Sequence, residues 1–332
     1  MPKAKALIVL SSHGCNVIYG SSQLAEIATR VDLLAEALTP QQLAERPELL
    51  ADVEVIFSGW GAPKMDEAFL ALAPKLRAVF YGAGTIRYFT GDAFWARDIT
   101  ITSAYAMNAI PVSEFTLGVI LLSLKNVWRL SLDARINQKH TPRGPMAGGY
   151  GSKVGLISLG MIARLVRDRL RPFDLEVLVY DPFLTDSQAI ELDVKKVTLD
   201  ELFAESDVVS LHTPWLKETE GMITGRHFGL MKSGATFLNT ARGAIVNEAE
   251  MITALQARPE ITAFLDVTHP EPPAPDSPLW SLPNVVLTPH IAGSQGRECQ
   301  RMGRLMIDEF DRWTRGEPLL WQISQEKAAL LA

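Results

Sequence analysis

The chain has 332 residues, 47% hydrophobic and 21% charged, a length that exceeds one ordinary core and fits two domains, and a composition that excludes disorder. Its net charge of −6 excludes a broad nucleic-acid-binding face, although a few arginines in a cleft can still hold an anionic substrate. Two cysteines, Cys15 and Cys299, form neither a disulfide framework nor a metal-ligand pattern, and no apolar run reaches secretory or bilayer-spanning length, so a cytoplasmic protein with no metal and no membrane association is expected.

In the first third, residues 5–10, 31–34, 53–58, 76–81 and 99–102 read as buried strands, rich in Val, Ile and Leu and bounded by Gly, Pro or charge. Segments between them, such as residues 65–72, carry helical spacing, and this alternation predicts a parallel sheet covered on both faces. A long apolar helix is predicted over residues 111–124, with Pro111 in its first turn, where a missing N–H costs least. Residues 128–152 are polar and end in Gly148-Gly149-Tyr150-Gly151; they read as a surface loop or as an arm that embraces a second subunit. A second run of strands follows at residues 154–158, 176–180, 207–211, 235–239, 261–267 and 285–288. Thr198 with Glu201 and Asn247 with Glu250 have the spacing of capping boxes. Six strands with helical crossovers suit a doubly wound dinucleotide-binding domain. A last helix is predicted over residues 297–315.

Val154-Gly-Leu-Ile-Ser158-Leu-Gly160-Met161-Ile162-Ala163 reads as a strand, a tight turn and a helix start. Such a turn needs small residues so that the backbone can approach a pyrophosphate, which then sits on free N–H groups at the helix N-terminus. Ser158 and Ala163 stand where glycines are usual, and Gly160 is kept. The next strand ends at Asp181, where a carboxylate can accept hydrogen bonds from the adenosine ribose and repel a 2′-phosphate. No cation follows in Pro182-Phe183-Leu184, so NAD is expected rather than NADP.

Three later segments carry chemistry. Arg242 follows one predicted strand in Asn239-Thr240-Ala241-Arg242-Gly243, Glu271 follows the next, and His290 follows the last in Thr288-Pro289-His290-Ile291-Ala292-Gly293. Ligands of parallel sheets bind at the carboxyl ends of strands, so a cation, a carboxylate and an imidazole are expected to converge there.

Over nearly its whole length, and most strongly over residues 112–293, the chain resembles the D-isomer-specific 2-hydroxyacid dehydrogenases. Val208-Val-Ser-Leu-His212-Thr213-Pro214 and Pro278-Leu-Trp280 add to the likeness. The resemblance implies that Arg242 holds the substrate carboxylate or carbonyl, that His290 gives and takes the proton, and that Glu271 orients His290 and favours its protonated form. It implies that the backbone of Ala83 and Gly84 grips the substrate carboxylate. The cofactor contacts it implies come from Ser158, Gly160, Met161, Ile162, Asp181, His212, Thr213, Pro214, Thr240, Ala241, Asp266 and Gly293.

Some positions depart from the family pattern. Met161 stands where relatives carry Arg or His, Thr268 replaces an aromatic, and Thr85-Ile-Arg87 replaces a small polar run. Ser58-Gly-Trp60-Gly61 lacks the cations a phosphorylated substrate needs, and Glu271 stands where relatives acting on formate carry Gln, so both substrates are disfavoured. The expected architecture is α/β with two doubly wound domains. An NAD-binding Rossmann domain, residues 108–294, is inserted into a flavodoxin-like substrate domain, residues 1–107 and 295–332. The expected activity is NAD-dependent interconversion of a short, non-phosphorylated 2-oxo acid such as hydroxypyruvate or glyoxylate with its 2-hydroxy acid, by a homodimer joined through residues 111–151. The alternative is an NAD-sensing scaffold with little turnover.

Overall fold

The computed structural model describes residues 3–330 apart from Thr141 and Pro145. It divides into two compact units: one runs up to Asn108 and resumes at Ser294, and the other is Ala109–Gly293. Each is a parallel sheet flanked by helices.

The first unit holds β1 (Lys5–Val9), β2 (Asp32–Leu33), β3 (Val55–Ser58), β4 (Ala78–Tyr81) and β5 (Thr100–Ser103), in the order β2-β1-β3-β4-β5. This is a flavodoxin-like order, with its switch point between β1 and β3. β3 and β4 are buried along their whole length, as strands covered on both faces must be. One core cluster centres on Phe57, Phe80 and Phe310 and includes Met302, Met306 and Ile307 of the helix Cys299–Thr314; another holds Leu7, Ile56, Val79 and Phe94. Glu309, 1% exposed, accepts the amides of Leu320 and Trp321 and ties the C-terminal segment to its helix.

The second unit holds β6 (Ser152–Ile157), β7 (Leu175–Tyr180), β8 (Lys195–Lys196), β9 (Val208–Leu211), β10 (Thr236–Asn239), β11 (Thr262–Leu265) and β12 (Val285–Leu287). Their order is β12-β11-β10-β9-β6-β7-β8, a Rossmann sheet extended by one strand, with the reversal between β6 and β9. The edge strand β8 was not anticipated; two exposed lysines carry no apolar pattern to announce it.

Helix starts follow local chemistry. Thr198 and Glu201 form a full capping box. Asn247 forms half of one: its side chain accepts the Glu250 amide, but its own amide goes to the Ile223 carbonyl and Glu250 turns instead to the Gly225 amide. The long helix runs Tyr105–Ser123, so Pro111 sits inside it and not in its first turn. By length and composition this helix could cross a bilayer, although Asn108, Ser113 and Glu114 interrupt its apolar run; half of that stretch is buried in the fold. Residues 128–137 of the expected loop belong instead to a helix, Val127–Asn137, entered through Asn126 in the left-handed region. Trp128 anchors it, with its ring 5.1 Å from that of Phe264 and its indole N–H donating to the Ser123 hydroxyl at 3.1 Å. Thr141 and Pro145 of the expected arm lie outside the described residues. Both cysteines are free and buried.

Candidate active site

In the second unit every functional candidate follows the carboxyl end of a strand. After β6 the chain turns through Ser158 at φ 70°, a left-handed conformation that costs a side chain roughly 1–2 kcal/mol. The Ser158 amide donates to the Tyr180 carbonyl at 2.7 Å, and its hydroxyl lies 2.9 Å from that of Thr213. That pair bridges β6 and β9 where the strand order reverses. Gly160 then opens the helix Met161–Leu170 with no side chain capping the first amides. A Cβ on Gly160 would meet no atom within 4 Å, so the space above the helix N-terminus is open. Met161 and Ile162 are half-buried at its first turn, and Ala163 is buried.

Asp181 follows β7. One oxygen accepts the Leu159 amide and the other the Phe183 amide, both at 2.7 Å, so the carboxylate braces the turn and keeps a lone pair on each oxygen for a further donor. After β9, the His212 amide donates to the Ile157 carbonyl, and its Nε2 lies 2.9 Å from the Ser210 hydroxyl. Desolvation pushes the His212 imidazole down to about 4, so it is neutral at physiological pH. The Pro214 carbonyl accepts the Thr219 hydroxyl at 2.6 Å, and the Thr240 hydroxyl lies 3.4 Å from that of Thr116.

Arg242 follows β10. Buried Asn239 shapes the turn, its side-chain oxygen accepting the Ala241 amide and its amide donating to the Arg242 carbonyl. A Cβ on Gly243 would stand 2.0 Å from the Thr268 carbonyl carbon, so glycine is what lets the turn pack against the loop that carries Glu271. The Arg242 guanidinium donates to the Ala241 carbonyl at 2.6 Å. Burial lowers its pKa, and the Glu271 carboxylate partly restores it.

Asp266, 2% exposed, follows β11. Its carboxylate accepts the Thr288 hydroxyl at 2.6 Å and the Ile291 and Ala292 amides at 2.9 Å, while its carbonyl accepts the His290 amide at 3.0 Å. Four bonds from one residue thus hold the loop on which His290 sits at φ 53°. The Glu271 loop contains cis peptide bonds before Pro270 and Pro272. Glu271 Oε1 lies 2.7 Å from His290 Nδ1, leaving Nε2 for a substrate. Glu271, His290 and Asp266 line a cleft of about 350 Å³ with Trp280, Pro272 and Leu287; Arg242 is outside that lining. Gly293 ends the loop and the unit.

In the first unit, Ala83 and Gly84 follow β4. The Ser103 hydroxyl lies 2.9 Å from the Ala83 carbonyl and 2.5 Å from that of Gly84, fixing the turn. Among the described residues the amides of Ala83 and Gly84 have no acceptor, although Ala83 is fully buried. An unpaired buried donor is costly unless a ligand satisfies it.

A family model described as "D-isomer specific 2-hydroxyacid dehydrogenase, NAD binding domain" matches residues 117–292, more than half of the chain. The chain belongs to the D-isomer specific 2-hydroxyacid dehydrogenase family. The matched domain is the one that binds NAD, and the open glycine turn, the uncapped helix end and Asp181 fit that cofactor. The chain is 32% identical to a D-3-phosphoglycerate dehydrogenase of Archaeoglobus fulgidus over 77% of its length and 49% of the relative's. It therefore spans about half the length of the phosphoglycerate dehydrogenases it matches. A glyoxylate reductase of Korarchaeum cryptofilum is 31% identical over 81% of this chain and 82% of its own. D-mandelate dehydrogenase of Rhodotorula graminis shares the fold, with a TM-score of 0.83 at 22% identity over 98% of both chains.

Asn239, Gly243 and Thr288 also shape the site, and reading the sequence had not singled them out. An Asn two residues before an amide it can cap is a local signal that was present in the sequence; the Gly243 and Thr288 contacts span more than twenty residues and leave no local trace.

Proposed function

We propose that this protein reduces a short, non-phosphorylated 2-oxo acid to its D-2-hydroxy acid at the expense of NADH and a proton, and catalyses the reverse oxidation. The observation that carries this reading is the His290–Glu271 pair at 2.7 Å, held on neighbouring strand ends next to Arg242. NADH supplies a hydride to the substrate C2. Negative charge then grows on the carbonyl oxygen, and Arg242 is the cation suited to stabilise it. His290 Nε2 delivers the proton to that oxygen, and in oxidation receives it back. Glu271 fixes the imidazole through Nδ1, so the proton to be donated sits on Nε2. The free amides of Ala83 and Gly84 are donors suited to the substrate carboxylate, which supports reading the first unit as the substrate domain and the second as the NAD domain.

Among substrates, hydroxypyruvate and glyoxylate fit best, because Ser58–Gly61 brings no cation for a phosphate. The scaffold alternative has less support, since the acid–base pair is fully formed. We further propose a cytoplasmic homodimer, joined through residues 111–151. The helix Val127–Asn137 has no buried residue, and Leu122, Ile136 and Tyr150 are exposed.

The test is NADH consumption against a panel of 2-oxo acids that includes 3-phosphohydroxypyruvate. Turnover is expected with the short unphosphorylated acids, and His290→Ala is expected to abolish it while leaving NADH affinity nearly unchanged. Wild-type-like turnover in that variant would sink the mechanism.

A further inference from the structure

The first unit contains a second, open pocket of about 470 Å³, none of whose lining residues belongs to the candidate active site. It lies beside the carboxyl ends of β1 and β2 and is walled by Leu10, Leu24, Leu33 and Leu38. Asn16, Ser12 and Glu36 stand among these apolar walls, and Glu36 is the one charged residue in the lining. The pocket is open to solvent and mixes seven apolar residues with Ser12, Asn16, Glu36, Thr39 and Gln42; its volume falls in the range of small-molecule sites. Ser12, Asn16 and Glu36 are exposed, and the side chains of Asn16 and Glu36 have no hydrogen-bond or ion-pair partner among the described residues.

One wall is a single π-helical turn, Cys15–Tyr19, closed by the Gly20 amide on the Cys15 carbonyl. Such turns are uncommon and cluster at functional sites. This one reaches from the cavity to the proposed carboxylate grip. Cys15 and Asn16 face the cavity. At its far end the buried Tyr19 hydroxyl donates to the Ser58 carbonyl at 2.8 Å. The same carbonyl accepts the Gly82 amide at 2.8 Å, one residue before Ala83 and Gly84. Gly82 packs so closely on this turn that a Cβ there would stand 2.8 Å from Ile18 Cγ2 and 3.2 Å from the Tyr19 hydroxyl.

We propose that this cavity is a regulatory site for a small organic cation, an amine with an apolar body, and that its occupancy reaches the Ala83–Gly84 grip through Tyr19. Glu36 at the rim attracts the ammonium, Asn16 and Ser12 supply hydrogen bonds, and the leucines cover the apolar part. Burial raises the Cys15 thiol, which stays protonated and adds to the neutral wall. The effect on turnover rests on the dehydrogenase reading; the binding does not.

The probe is phenethylamine, compared with its neutral and anionic analogues 2-phenylethanol and 3-phenylpropionate, by titration calorimetry on the full chain. The amine is expected to bind most tightly and the anion least. Glu36→Gln is expected to weaken the amine about 3- to 5-fold, the scale of an exposed charge pair, and to leave the alcohol unchanged. Anion binding equal to that of the amine, no binding at millimolar concentration, or a Glu36→Gln variant with unaltered amine affinity overturns the site. For coupling, phenethylamine is expected to shift the KM for the best 2-oxo acid in the wild type and to leave it unshifted in Tyr19→Phe. Binding without any KM shift in the wild type overturns the coupling alone. Binding in a protein that turns over no 2-oxo acid overturns the dehydrogenase reading and keeps the site.

Discussion

Asp266 shows how one buried carboxylate can set a reactive side chain it does not touch. Its oxygens accept three donors from residues 288–292, and in Asp266→Asn the amide that replaces one oxygen faces an N–H it cannot accept. Leaving such a buried donor unsatisfied costs about 1–3 kcal/mol. That variant is expected to lower the denaturant midpoint by an equivalent amount and to reduce kcat, because the His290 turn at φ 53° loses what holds it. An unchanged midpoint would mean that the bonds to the loop contribute nothing. His212 gives a pH prediction. Its pKa falls from 6.5 to about 4 on folding, so the unfolded chain takes up the proton first. The contribution is present above pH 6.5 and is lost as pH falls towards 4, by on the order of 3 kcal/mol at the limit. Stability measured across that window should fall in the wild type and fall less steeply in His212→Asn; parallel curves would refute the assignment.

At the scale of elements, two glycines separate folding from binding. Gly160 has φ −72° and open space where a Cβ would go, so Gly160→Ala is expected to fold with stability within about 0.5 kcal/mol of the wild type. If the proposed cofactor site is right, the same methyl stands where the pyrophosphate approaches, and NADH affinity is expected to fall at least tenfold. Gly243→Ala should do the reverse and impair folding, because its Cβ collides with the backbone at Thr268. Thermal melts with and without NADH distinguish the two; a Gly160→Ala variant that binds NADH normally would move the phosphate site elsewhere. The helices tell a similar story. Full capping boxes at Thr198 and Thr185 start helices where residue chemistry asks for them. Pro111 is tolerated inside a helix that the sequence alone would begin later.

For the whole molecule, the open question of assembly turns on the apolar surface of residues 111–151. Ile136 is 66% exposed and Tyr150 86%, on a helix and a segment that bury little against their own chain. A mass of two chains in solution is expected, and Ile136→Glu should shift it towards one. A monomer at every concentration would remove the proposed dimer and leave that surface for another role. Much of the fold was legible beforehand. The buried strands announced themselves as short Val- and Ile-rich runs, and both sheets follow from strands alternating with helices. The positions of Arg242, Glu271 and His290 after successive strands were legible for the same reason. The edge strand β8 was not, because its two exposed lysines carry no apolar period. The helix at Val127 was not, because what anchors it is the packing of half-buried Trp128 against Phe264, a contact 136 positions away in sequence.

The sequence by itself determined what depends on near neighbours: where strands and helices form, that a small-residue turn opens the helix Met161–Leu170, and that an acid, an imidazole and a guanidinium follow strand ends. Only the tertiary structure decided what depends on distant partners. It brought His290 within 2.7 Å of Glu271, turned Asp266 into the brace of the His290 loop, and set the Tyr19 hydroxyl on the carbonyl that holds Gly82. The physical reason is range. Propensity and capping act over a turn or two of chain, whereas hydrogen bonds and packing between segments dozens of residues apart exist only once the sheets have set their register.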